Sequence, residues 1–255
     1  MVSGERARIR IGCAGWSIPS AQAAAFGAGP SHLVRYATRF DAVEINSSFY
    51  RPHRETTYRR WAASVPEGFQ FAVKVPRSIT HARRLTESEL LLDAFQLECA
   101  ELGHTLGPLL LQLPPSLQFD ERVVAGFLNM LRTRFEGDVV CEPRHASWFS
   151  DEADALLAKH RVARVAADPA VVPRAAEPGG WDGLAYYRLH GSPRVYYSAY
   201  DDAALEALAS KLRSAGRRGI VWCIFDNTAA GAATGNALHL RERLVSAQGS
   251  SAAVG

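Results

Sequence analysis

Short apolar runs recur along the chain with a period of two, and longer segments between them carry helical spacing. Eight runs read as strands: RIRIGC (8–13), AVEIN (42–46), FQFAVKV (69–75), PLLLQLP (108–114), DVVCEP (138–143), ARVAAD (163–168), AYYRLH (185–190) and GIVWCIFD (219–226). Segments such as TESELLLDAFQLECAELG (86–103) and DERVVAGFLNMLRTRF (120–135) place apolar residues three and four apart, which predicts helices between the strands. Thr86 with Glu89 suggests a capping box, and Asp120 a cap for the following helix. Only the stretch PAVVPRAAEPGGWDGL (169–184) reads as loop rather than helix.

Alternating strand and helix over a chain of 255 residues predicts an α/β fold, a single (β/α)8 barrel of the TIM type. The connection after the sixth strand is expected to be irregular. One domain over 1–245 is expected, followed by a disordered tail over 246–255. A doubly wound sheet would want a glycine-rich phosphate turn, and GCAGWS matches that poorly.

In such a barrel one strand face meets the helices and the other points inward, with functional groups at the C-terminal strand ends. Period two then aims Glu44 and Asn46, Lys74, Gln112, Glu142, Asp168, and Arg188 with His190 at one rim, with Arg144 just beyond Glu142. The last strand leaves open whether Asp226 or Asn227 faces in. Six strands that stay apolar and then end in a polar residue at one desolvated rim point to a site.

The rim charges nearly cancel: Glu44, Glu142 and Asp168 against Lys74, Arg144 and Arg188. They can form a self-satisfied ion-pair plug. They can equally form a metal-independent enzyme site, with Glu142 as first choice for acid–base work and Glu44 second. Lys74, Arg144 and Arg188 would then clamp an anion. Lys74 could form a Schiff base, but a neighbouring carboxylate would oppose the lowered pKa this needs, which ranks an ion-pair or anion-binding role higher. His81 is a candidate general acid. His145 can bind substrate, orient Glu142 or start the next helix. Asn46, His190 and Asn227 would orient substrate or carboxylates, and Trp16 and Tyr50 offer stacking surfaces.

No cofactor is required by these residues. A divalent metal (Zn, Mn or Mg) held by His and carboxylate side chains is the alternative, opposed by the lysine and two arginines among them.

Composition narrows the classes. The chain is 47% hydrophobic and 22% charged, with a net charge of +3, too mild to argue for or against nucleic acid. The four cysteines form no C-x-x-C pair and three lie in apolar runs, so buried thiols in a reducing compartment are expected. The first residues show no signal-peptide pattern, and no apolar run approaches the ~20 residues of a membrane helix. A cytoplasmic protein without membrane contact is expected. The expected partner is a small anionic substrate, with nucleic acid as the alternative.

The segments IGCAGWS, FDAVEINSSFYRP, PEGFQFAVKVPRSITH, LGPLLLQLPPS, CEPRHASWF, YYRLHG and FDNTAAGAATGNA occur in order from Ile11 to Ala237. Together they resemble the YecE-like family, domain of unknown function 72. The resemblance implies a TIM-type barrel and supplies no established reaction. The family's barrel is similar to metal-dependent apurinic endonucleases, which implies nucleic-acid processing as an alternative. The family pattern marks Glu44, Asn46, Lys74, His81, Glu142, Arg144, His145, Arg188, His190 and Asn227. Cys13, Ala14, Ile18, Pro143 and Asp226 depart from it. The expected function is therefore an enzyme (a hydrolase, lyase or isomerase) acting on a phosphate, carboxylate or sugar derivative. The alternatives are a metal-dependent phosphodiester or DNA-binding protein and a non-catalytic ligand-binding barrel.

Overall fold

In the computed structural model, which describes residues 9–251, strands and helices alternate much as the periodicity demands. The order is β1 (Ile9–Cys13), α1 (His32–Tyr36), β2 (Ala42–Ile45), α2 (Glu55–Ala62), β3 (Gln70–Lys74), α3 (Glu89–Ala100), β4 (Leu106–Gln112) and α4 (Glu121–Arg132). There follow β5 (Val139–Glu142), α5 (Asp151–Lys159), β6 (Val162–Arg164), β7 (Ala166–Asp168), β8 (Gly179–Gly180), β9 (Leu184–Leu189), α6 (Asp202–Gly216), β10 (Ile220–Phe225) and α7 (Ala232–Ser251). Helix α4 shows the logic: Val124, Phe127, Leu128 and Leu131 form one buried stripe, and the Asp120 carboxylate accepts from the Val123 amide at 3.0 Å. Thr86 does not cap α3; its hydroxyl donates to the Arg83 carbonyl, and the helix starts at Glu89.

The single closed barrel expected from the strand count is not what forms. The strands make two sheets, one ordered β1-β10-β9-β7 and the other β2-β3-β4-β5-β6-β8, parallel except for the short β8. The sheets part where the sixth strand changes partner at Val165: β6 pairs with β5, and β7 pairs with β9. They part again between β1 and β2. There the Tyr36 hydroxyl stands between the strands, accepting from the Cys13 amide at 2.9 Å and donating to the Ala42 carbonyl at 3.1 Å. Regular pairing resumes only beyond it, at the bridge between Ala14 and Glu44. Gly12 permits this approach, since a Cβ there would lie 2.2 Å from the Ala42 carbonyl oxygen.

Strand alternation divides the core in two. Val43, Ile45, Phe71, Val73, Leu109, Leu111, Val139 and Cys141 face the helices, while Ala42, Ala72, Leu110, Val140, Ala163, Val165, Tyr186, Trp222 and Ile224 fill the space enclosed by the strands. Tyr186 and Trp222 stack in that interior at 5.9 Å, with the Arg10 guanidinium 5.6 Å from the Trp222 ring. One layer further toward the C-terminal strand ends the inward positions become polar. The four cysteines are buried and free. Helix α7 runs through Ser251 and so overlaps the tail expected over 246–255, whose residues 252–255 fall outside the described ones. Residues 1–8 and 252–255 lie outside the described residues.

If the Tyr36 hydroxyl is what joins β1 to β2, Tyr36→Phe leaves a buried N–H and C=O unpaired. Urea unfolding should then show a loss of about 3 kcal/mol with an unchanged m-value. A wild-type midpoint would remove the hydroxyl from that role.

Candidate active site

Beyond the apolar interior, the next inward positions are Glu44, Lys74, Gln112, Glu142 and Arg188, all buried, with Asp226 just after β10. The Arg188 guanidinium sits at their centre. Its Nε and Nη2 donate to the two oxygens of Glu44 at 3.0 and 2.6 Å, its Nη1 to Glu142 at 2.6 Å, and Nη2 also to Asp226 at 3.0 Å. The Tyr186 hydroxyl adds a third donor to Glu44 at 3.0 Å. His190 bridges the other two carboxylates, Nδ1 to Asp226 and Nε2 to Glu142, each at 3.0 Å. Arg144 Nε reaches Glu142 at 3.1 Å from the mouth.

These contacts fix protonation. Burial pushes the Glu142 carboxyl up, but the charges of Arg188, His190 and Arg144 outweigh it and hold the group well below the carboxylate range. Asp226 is lowered in the same way, burial being outweighed by Arg188 and the His190 bond. Burial pushes the His190 imidazole down, yet Glu142 and the bond to Asp226 raise it overall. Glu142, expected to lead acid–base work, is thus held as an anion whose oxygens accept from Arg188, Arg144 and His190; it has no proton to give. Glu44, the second choice, accepts three bonds and is equally engaged.

Lys74 stands apart. It is only 4% exposed, yet among the described residues its ammonium makes no hydrogen bond or ion pair, the expected ion pair included. Its Nζ lies 4.1 Å from the centroid of the Phe49 ring. Burial and the Arg188 charge lower its pKa to about 8, against the opposing pull of Glu44, Asp226 and Glu142. The carboxylates that should have held Lys74 are taken by Arg188 and His190. His81 packs edge-on against the other part of the same aromatic cluster, 4.9 Å from Phe49, with Nδ1 bonded to Thr80 Oγ1 at 2.9 Å. Burial and the charges of Lys74, Arg77 and Arg144 lower its pKa. The Asn46 side-chain oxygen is buried without a partner. It follows β2 one residue past the Ile45–Val73 pair, level with Lys74.

Other expected residues are not brought in. Asp168 faces the helices, because Ala163 and Val165 take the inward phase of the sixth strand; it accepts from the Tyr200 hydroxyl at 2.8 Å. Asn227 also turns away, donating to the Ser198 carbonyl and to Asn236 at 2.9 Å each. Trp16 packs on Trp61 and Phe71 on the helix side. His145 caps a short turn through Ser147 and does not touch Glu142. Tyr50 is 68% exposed at the edge of Phe49. Outside the cluster, Arg83 pairs with Glu87 and Arg84 bonds Ser116. Sequence reasoning missed Tyr186, concealed as one more apolar strand residue, and left Asp226 undecided; the alternation Trp222, Ile224, Asp226 identifies the latter.

Among the described residues no three His, Cys, Asp or Glu side chains are placed to hold a metal ion. A guanidinium occupies the point on which the carboxylates converge.

An α/β chain whose parallel strands deliver one polar layer to a common mouth has the architecture of TIM-barrel-like proteins. More specifically, the chain belongs to the family described as protein of unknown function DUF72, whose family model matches residues 10–253. It is 31% identical over 150 residues to the UPF0759 protein YunF of Bacillus subtilis (strain 168), covering 56% of this chain and 52% of that protein. It is 30% identical over 145 residues to the UPF0759 protein YecE of Escherichia coli (strain K12), covering 56% and 50%. The chain thus spans about half the length of the curated relatives it matches. A DUF72 family structure from Thermotoga maritima MSB8 superposes with a TM-score of 0.76 at 23% identity, over 93% of this chain and 99% of that one. One from Enterococcus faecalis V583 gives 0.77 at 21%, over 93% and 98%. A xylose isomerase-like TIM barrel/4-hydroxyphenylpyruvate dioxygenase fusion protein gives 0.50 at 15%, over 94% and 42%. At these identities the likeness concerns the fold. No helix among the described residues is long and apolar enough to cross a membrane.

Removing the central cation should leave three buried carboxylates repelling one another. Arg188→Met is expected to cost about 3–5 kcal/mol at pH 7. In the variant the folded state should bind protons more readily than the unfolded chain, so its stability should rise as pH falls from 7 to 5. In the wild type Glu142 and Asp226 are held low, so their contribution is present above the unfolded carboxylate pKa and is lost only as pH falls through their folded values. Urea titrations at both pH values measure the two slopes; parallel slopes would contradict the network.

Proposed function

We propose that the mouth is the site of an enzyme acting on a small anionic molecule, a phosphate, carboxylate or sugar derivative, with Lys74 as its principal contact. The observation that carries this is the buried Lys74 ammonium, which has no hydrogen-bond or ion-pair partner among the described residues. Three carboxylates, Glu44, Glu142 and Asp226, face Arg188, Arg144, Lys74 and a His190 raised toward its charged form. The cluster therefore carries an excess of positive charge among buried side chains, which an anion relieves. Arg144, a quarter exposed at the rim, offers further N–H donors; among the described residues its other hydrogen-bond partner is the Tyr196 hydroxyl, at 3.4 and 3.5 Å.

Acid–base chemistry falls to the groups that can change protonation near neutrality. Those are Lys74 and His81, both pushed down, rather than Glu142, which is held low. Arg188 and His190 hold the carboxylates in place, and Asn46 presents an acceptor to a substrate hydroxyl.

Inorganic phosphate and simple carboxylates should raise the melting temperature, and Lys74→Met should weaken the apparent affinity about tenfold to a hundredfold. Because the charged amine binds the anion, affinity in the wild type should fall as pH rises through about 8. Equal binding by Lys74→Met, or affinity independent of pH between 7 and 9, would place anion binding elsewhere.

A further inference from the structure

We infer that Lys74 is a nucleophile, and that the mouth forms an imine with an aldehyde or ketone carrying a carboxylate or phosphate. This rests on the anion-binding function proposed above and names its substrate class. The first observation is geometric. A lysine kept for its charge would sit against a carboxylate, and three lie in the same layer. Arg188 and His190 take their oxygens, and Lys74 meets only the face of Phe49, at 4.1 Å. An amine without a strong acceptor, beside a fixed guanidinium, favours the neutral nucleophilic form. The lowering to about 8 agrees with this.

The second observation is compositional. The chain has three lysines against 26 arginines. Lys211 pairs with Glu177 on the surface and Lys159 ends α5. The other positions of the site with long cationic side chains, Arg144 and Arg188, are arginine, which does not deprotonate in proteins. The buried position that carries lysine is therefore the one where loss of a proton matters.

The third is the surrounding donors and acceptors. His81 approaches the same Phe49 ring, and its Nε2 makes no hydrogen bond among the described residues. The Asn46 oxygen is buried and unpaired level with Lys74. The step balances without a redox partner. The Lys74 lone pair forms a C–N bond to the carbonyl carbon, and the amine proton passes through His81 to the carbonyl oxygen. Loss of water then breaks the C–O bond and leaves a C=N bond. The Asn46 oxygen accepts from the carbinolamine hydroxyl, Arg144 pairs with the substrate anion, and water reverses the sequence.

The test is reductive trapping on the full chain. Protein is incubated with pyruvate, glyoxylate or glycolaldehyde phosphate and sodium cyanoborohydride, then mapped by peptide mass spectrometry. The expected result is one reduced adduct on the peptide holding Lys74. It should form at least tenfold faster than on Lys159, Lys211 or the N-terminal amine, and faster as pH rises from 7 to 8.5. Selectivity is read within the wild type, so it does not depend on a variant folding; Lys74→Arg, which keeps a charge, should abolish the adduct. Labelling that is absent from Lys74 or uniform over the amines overturns the imine. If these probes still raise the melting temperature and Lys74→Met removes the shift, anion binding survives without covalent chemistry. If they do neither, both fall.

Discussion

One guanidinium organises this protein. Arg188 comes from β9, and the carboxylates it meets come from β2, β5 and the end of β10. Two of those, Glu44 and Glu142, belong to one sheet, while Arg188, His190 and Asp226 belong to the other. The backbone ladder between the sheets is interrupted at β1–β2 and at Val165, so these bonds tie the sheets together across the interior. A buried charge without partners costs far more than one well-made pair returns. The network therefore acts mainly as a constraint on register. A slip of one residue in β2, β5 or β9 would turn a charge into the apolar layer facing the helices.

The same constraint separates two kinds of titratable group. Glu142 and Asp226 are driven down by a cation they cannot escape, while Lys74 and His81 are driven down by burial and by that excess of cations. The first pair is fixed as anions over the physiological range. Lys74 loses its positive charge at about 8, and His81 below the ordinary imidazole value. Groups whose environments push them to different protonation states can divide support from chemistry, and the proposed function assigns support to the acids.

Period-two alternation in the sequence was enough to find Glu44, Lys74, Glu142, Arg188 and His190, because β2, β3, β5 and β9 carry bulky apolar residues that mark the opposite face. It failed at ARVAAD, where alanines at 163, 166 and 167 carry almost no phase information. Arg164, on the outer face, is there a buried ion-pair partner of Asp154 at 2.7 Å. It stayed undecided at the end of β10, where two polar residues adjoin. The split of the barrel into two sheets was not legible either. It depends on the change of partner at Val165 and on the hydroxyl of one tyrosine in α1 entering the gap between β1 and β2, tertiary arrangements with no local signature. Likewise nothing local shows that Lys74 is unpaired, since that follows from how four other strands distribute their bonds.

That Lys74 has no hydrogen-bond or ion-pair partner among the described residues favours the proposed site over a plug. A mouth sealed only for stability would be best served by saturating every charge, or by an apolar side chain of similar volume at position 74. Instead the fold holds an amine whose pKa falls from 10.5 to about 8. Below pH 8 the folded state must charge a group it does not solvate, a cost of about 3 kcal/mol relative to the unfolded chain. That cost is relieved as pH rises from 8 toward 10.5, where the unfolded chain binds the extra proton. Folded proteins keep destabilising groups of this kind chiefly where chemistry requires them. The saturated network around Arg188 is then the scaffold that makes the exception at Lys74 possible, because it keeps the nearby carboxylates from neutralising the amine.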